Sequence, residues 1–296
     1  MPDRTRLDPA YAGTDRSARV PCCALSLEDM RRLYSALQRK NDELHAGFME
    51  GYAETPERTR DQAETNVRDN LRVTVVVTGA KGEQVITHDV SGLDEANLPS
   101  MVTAIALDSS WLMRIALQGR EPADRCQILF DFSRPPLIDF SNASGEPTPN
   151  ASNYRVVAAK ATWGVAVYDA LQSEFADRTL ARAWLHGRYT YDVVLLIAGF
   201  PLALWSAWKL WSAIKAHIAP MGAGLATLVV IYLFLLGLNM FRALFGVGRW
   251  LWPCIEFRRE RQGGAALFWR YVLGAVTLGI LASLVYDVAK ALLSSS

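Results

Sequence analysis

The sequence predicts an α+β cytoplasmic domain, mostly an antiparallel sheet with helices, preceded by a long amphipathic helix and followed by three transmembrane α-helices. Three observations predict it. Charge and apolarity are spread unevenly along the chain. Residues 71–159 read as short strands separated by turn residues. Residues 27–48 carry apolar side chains at helical spacing.

The uneven charge comes first. The 296 residues hold 31 Lys+Arg and 30 Asp+Glu, a net charge of +1. Divided after Thr190, the first part holds 22 and 26, a net of −4, and the second 9 and 4, a net of +5. A chain that is 51% hydrophobic and 21% charged is not disordered. A charge near zero gives no electrostatic reason to expect nucleic acid as a partner. Four cysteines exclude a disulfide-dense scaffold.

The apolarity of the second part is concentrated in three stretches, near residues 193–214, 218–241 and 271–293. Each reaches the roughly 20 apolar residues that cross about 30 Å of hydrocarbon. The lipid bilayer is therefore an expected partner. The division predicts a flexible tail over 1–25, a helical arm and charged linker over 26–70, the α+β domain over 71–190 and a membrane domain over 191–296.

Aromatic and basic residues predict where the interface lies. Trp205, Trp208 and Trp211 repeat every three residues near one end of the first span, while Trp250, Trp252 and Trp269 flank the loop after the second. Tryptophan suits the headgroup level because its apolar ring carries a polar N–H. Arg258, Arg259 and Arg261 lie in the same loop and suit the inner leaflet of an anionic membrane. The positive-inside rule then places this loop and the flank carrying Arg178, Arg182 and Arg188 in the cytoplasm. The expected protein sits in the plasma membrane with its N-terminus inside and its C-terminus outside. No apolar signal-peptide core is visible in residues 1–25. Reduced thiols are expected at Cys22, Cys23 and Cys126.

The helical arm opens with Ser26 as N-cap and Asp29 in the capping-box place. Leu27, Met30, Tyr34, Leu37, Leu44 and Phe48 follow at spacings of 3, 4, 3, 7 and 4. The position skipped in the longer gap is Asn41, and a lone Asn at a heptad a position fixes register in paired helices. A short coiled coil, in a homo-oligomer or with a partner, is one reading. An amphipathic helix lying on its own domain is the other.

Strands are expected over 71–78, 84–90, 101–107, 126–132 and 154–159, with helices over 110–118, 161–177 and 179–186. Gly79 to Gly82 reads as a hairpin turn. Residues 133–153 form a long loop rich in proline and small polar residues, and such loops often carry function. Arg134, Asp139 and Asn142 on it join the arm as candidate interaction residues.

No phosphate loop, dinucleotide fingerprint, zinc-protease helix or nucleophile elbow is present. No catalytic residue, metal site or cofactor is expected. The spans hold no ionisable residue near their middle, which argues against ion-coupled transport. Small residues four apart, at Gly199 and Ala203 and at Ala275 and Gly279, suit helix association. The expected function is a membrane-anchored, non-enzymatic sensing or interaction module that binds a cytoplasmic protein or small molecule and self-associates. A triggered pore and a membrane enzyme with a dispersed site remain alternatives.

Overall fold

The computed structural model describes residues 13–50, 52–53, 59–135, 147–218, 220, 222–259 and isolated positions between 268 and 283. The chain divides into two compact units. The first takes the chain up to Ser133, then Asn150–Leu180 and Ile255–Arg259; the second takes Arg134–Pro149, Ala181–Cys254 and Glu260 onward.

The first unit is an α+β layer. Its strands are β1 (Thr14–Arg19), β2 (Cys23–Ser26), β3 (Thr74–Gly79), β4 (Gln84–Thr87), β5 (Val102–Asp108), β6 (Arg125–Asp131), β7 (Asn153–Ala158) and β8 (Ile255–Arg258). Its helices are α1 (Leu27–Glu50), α2 (Arg60–Asn70), α3 (Trp111–Ala116) and α4 (Ala161–Ala176). Six strands form one sheet in the order β1-β7-β6-β5-β3-β4, and every pairing is antiparallel. The β3–β4 hairpin turns where the sequence expects it, with Gly82 at φ 81°, a left-handed conformation that glycine adopts without strain.

One face of the sheet is buried. Val75 and Val77, Ile105 and Leu107, Ile128 and Phe130, and Tyr154 and Val156 alternate inward. They meet Met30, Leu33, Leu37 and Leu44 of α1 and Trp163, Val167, Leu171 and Phe175 of α4 in one core. The opposite face leaves Ile86 half-exposed beside Val76. One apolar and one open face is the usual state of an antiparallel sheet.

Two segments depart from expectation. Most of residues 14–25, read as part of a flexible tail over 1–25, lies in strands β1 and β2. Strand β1 pairs with β7 along its whole length, and Arg155 grips Asp15 across the pair at 2.6 Å. Its sequence is polar because it is an edge strand with little to bury. Strand β2 runs parallel to β8, with Cys23 opposite Ile255 and Ser26 opposite Arg258. Cys22 is disulfide-bonded, not the reduced thiol expected, while Cys23 and Cys126 are free and buried.

The second unit holds α5 (Thr190–Val194), a π-helical turn (Leu195–Gly199), α6 (Phe200–Ile218) and α7 (Ala223–Leu251). The π turn precedes Pro201, whose ring lacks an N–H and crowds the carbonyl four residues back, so the helix widens there. Two stretches, Thr190–Ile218 and Ala223–Leu251, are long and apolar enough to cross a membrane, and little of either is buried. The expected third span, 271–293, lies largely outside the described residues. Helix α7 runs ten residues past the expected end of the second span, so Arg242 and Arg249, read as loop, are helical.

Helices α6 and α7 pack through small residues. A side chain on Gly237 would stand 3.0 Å from the Ala203 Cα, and one on Gly199 would strike the Phe241 ring. Ala203 and Ala207 are buried in this seam. The Gly199 and Ala203 pattern, read as a contact between copies, closes this hairpin within the chain.

Candidate functional site

The arm residues were expected to form an interaction face. Met30, Tyr34, Leu37, Asn41 and Leu44 are instead buried in their own domain, and Leu27 packs at its edge. Asn41 is 1% exposed and donates to the carbonyls of Leu71 at 2.6 Å and Ser109 at 3.1 Å. The capping box forms as read, with Asp29 Oδ2 accepting from the Ser26 N–H at 2.8 Å. A coiled coil through this face has no free surface, because the sheet already occupies it. Phe48 alone is half-exposed. Within the second unit, Arg134 lies over the Trp250 ring at 4.4 Å, and Asp139 and Asn142 lie outside the described residues.

What α1 does present is polar. Tyr34, Gln38, Asp42 and His45 follow one another along its flank at intervals of four, four and three, which stacks them on one side. Arg68 and Arg72, from the end of α2 and just beyond, and His88 and Asp89, after β4, face the same space. Together they line an open cleft of about 640 Å³.

Hydrogen bonds set its walls. The Tyr34 hydroxyl donates to the His88 carbonyl at 2.8 Å, and Gln38 accepts from the Val73 N–H at 3.0 Å while donating to Asp42 at 3.0 Å. His88 Nδ1 pairs with the Thr74 hydroxyl at 3.0 Å, and Asp89 caps the turn Val90–Gly92 through the Ser91 N–H. Burial, followed by the nearby Asp89 carboxylate, raises the Tyr34 phenol above its ordinary range, so it stays a neutral donor. Among the described residues, Arg68 and Arg72 pair with exposed neighbours, Glu64 at 3.0 Å and Asp69 at 2.8 Å. Exposed pairs of this kind contribute about 0–1 kcal/mol and give way readily to a better partner.

The cleft combines two guanidinium groups with carboxylates at Asp42 and Asp89. Guanidinium forks match phosphate and carboxylate oxygens. The carboxylates suit hydroxyl or ammonium groups. His88 and Asp89 are chain neighbours, and their side chains bond to different partners, so they do not form an acid–base couple.

Among the described residues, the two free cysteines are poor nucleophiles. Burial pushes the Cys23 thiol up to about 12 and the Cys126 thiol up as well, so neither is a thiolate at neutral pH. Among the described residues, no three His, Cys, Asp or Glu side chains gather to hold a metal ion.

The expected interface residues fall in different settings. Lys209 sits 5.9 and 5.4 Å from the Trp205 and Trp208 ring centres, and Trp208 and Trp269 are exposed. Trp211 and Trp250 are partly buried, and the Trp252 carbonyl accepts a bond from His186. Arg259, read as facing lipid, donates to the carbonyls of Pro99 at 2.6 Å and Ser100 at 3.1 Å inside the first unit. Arg258 is exposed at the end of β8, and Arg261 lies outside the described residues.

Sequence reading missed Gln38, Asp42, Arg68 and Arg72. The polar stripe along α1 is a signal for Gln38 and Asp42, whereas Arg68 and Arg72 come from another segment and carry none. No family model, no curated protein and no solved structure matches the chain.

Proposed function

We propose that the chain is a membrane-anchored, non-enzymatic ligand-binding protein whose cleft on the α+β unit takes a small polar molecule bearing a phosphate or carboxylate. The observation that carries the reading is the convergence of Arg68, Arg72, Asp42 and Asp89 on one cleft, built on α1, whose other face is fixed in the core. Such a site couples ligand binding to the sheet through Tyr34 and Gln38, which hold the backbone at His88 and Val73.

The apolar helices supply the anchor. The chain leaves the first unit after Leu180 and rejoins it at Ile255, and both membrane-length helices lie between. A return to the same unit supports an even number of crossings, with both flanks of the hairpin on one side. The arginines of those flanks favour the cytoplasm as that side.

The test uses the full chain in detergent. Inorganic phosphate, citrate and adenosine monophosphate are each titrated while thermal unfolding is followed. At least one should raise the melting temperature in a saturable way, and the Arg68→Ala/Arg72→Ala double variant should lose the shift. Failure of all three, or an equal shift in the double variant, overturns the reading.

A further inference from the structure

A second cavity lies in the same unit, between the C-terminal half of α1, α2 and α3. It measures about 340 Å³ and is walled by Leu44, Phe48, Val67, Leu71, Met113 and Leu117, with Pro122, Ala123 and Asp124 at one end. A dry cavity of about 150 Å³ holds one benzene, so this one has room for about two fused rings. It falls at the small end of ligand pockets, which run from about 300 Å³.

Three polar residues touch it, and two are already engaged. The Ser109 hydroxyl accepts from the Cys126 N–H at 2.8 Å, and the Ser110 hydroxyl donates to Asp108 at 2.8 Å. Asp124 differs. Its Oδ1 accepts from the Ala159 and Lys160 N–H groups at 2.8 and 3.2 Å and so anchors the start of α4. Its Oδ2 has no hydrogen bond or ion pair among the described residues, although the side chain belongs to a partly buried residue. The neighbouring Arg125 does not neutralise it, because that guanidinium bonds the Pro122 carbonyl at 2.6 Å and faces Glu121 at 3.6 Å.

We infer that this cavity binds a small bicyclic aromatic molecule carrying an amine, its rings against Phe48, Met113 and Leu117 and its donor on Oδ2 of Asp124. The apolar wall supplies affinity through burial. The half-satisfied carboxylate supplies selection, since it rewards a donor and repels an anion. The site shares no residue with the polar cleft, so the two stand or fall separately.

Tryptamine is the probe, with indole-3-propionate as the anionic counterpart of similar size. Equilibrium dialysis uses the full chain in lipid nanodiscs, with empty nanodiscs subtracted. Tryptamine should bind saturably and at least tenfold more tightly than indole-3-propionate. Ala123→Phe, at an exposed position on the cavity wall, should abolish binding by filling the space. Asp124→Asn keeps the cap acceptor, and should weaken tryptamine about tenfold and erase the preference over the anion. Circular dichroism confirms that both variants fold. Absence of saturable tryptamine binding, equal binding of the anion, or unchanged binding in Ala123→Phe would each overturn the inference.

Discussion

Nε2 of His186 stands 2.7 Å from the Trp252 carbonyl oxygen, while its Nδ1 stands 2.9 Å from the Thr148 hydroxyl. A carbonyl only accepts, so Nε2 carries the proton, and a neutral ring then accepts at Nδ1. This one side chain ties the turn Ala181–His186 to the end of α7 within the second unit.

The pH dependence follows from that burial. Desolvation lowers the His186 pKa from 6.5 to about 4; the Trp252 bond opposes this, while Arg249 and Arg182 add to it. The unfolded chain therefore binds the proton first. The contribution of His186 to stability should be level above pH 6.5, fall between 6.5 and 4, and level off below, by about 3 kcal/mol in all. His186→Gln keeps a donor and an acceptor but does not titrate. Melting curves at pH 7.5 and 5.0 should show a larger drop for the native chain than for this variant. An equal drop in both would exclude His186 as the source.

Asn41 gives the second prediction. Its amide satisfies two buried carbonyls, so Asn41→Leu leaves both without a partner and should cost about 2–4 kcal/mol. The oligomeric state should not change, because the face that carries Asn41 lies against the sheet. Denaturant unfolding measures the first effect and sedimentation the second. A variant that changed association without losing stability would restore the coiled-coil reading.

The arm shows how far the sequence could be read. The same apolar spacing fits a helix that pairs with a copy and a helix that lies on a sheet, and 24 residues are too few to separate them. Only the tertiary partners of Asn41 do so. The strands β3 to β7 were legible because their alternation and turn residues are local properties. Strands β1, β2 and β8 were not, because β1 is polar, β2 and β8 have only four residues each, and all three gain their structure from a pairing 130 or more residues away. The cleft was illegible for a related reason. Its residues come from α1, the end of α2 and the corner after β4, and no spacing in one segment announces that they converge.

Packing of the hairpin gives the third prediction. Gly237 faces Ala203 Cα at 3.0 Å and Ser206 Oγ at 2.9 Å, measured from where a Cβ would stand, whereas nothing lies within 4 Å of Gly224 on the same helix. Gly237→Leu should push α6 and α7 apart and cost about 1–3 kcal/mol, while Gly224→Leu should be near neutral. Thermal unfolding of both variants in one detergent compares them directly. Equal melting temperatures would mean that the α6–α7 seam contributes nothing to stability.

The anchor itself gives the last prediction. If the hairpin crosses the membrane twice, an epitope tag at the N-terminus and one after Arg259 are protected or exposed together. A tag inserted at Gly222, between the two helices, must behave oppositely. Two features then disagree about which side holds the α+β unit. Arg178, Arg182 and Arg188 before the hairpin and Arg258 and Arg259 after it favour the cytoplasm. The disulfide at Cys22 forms and persists in an oxidising compartment. We expect the arginines to govern, because they act on the flanks during insertion, whereas a disulfide forms after the side is chosen. Antibody access in sealed cells should reach only the Gly222 tag. Access to the two flanking tags instead would place the unit outside, with the disulfide at Cys22 in its native redox setting. Access to just one of the two flanking tags would end the two-crossing hairpin.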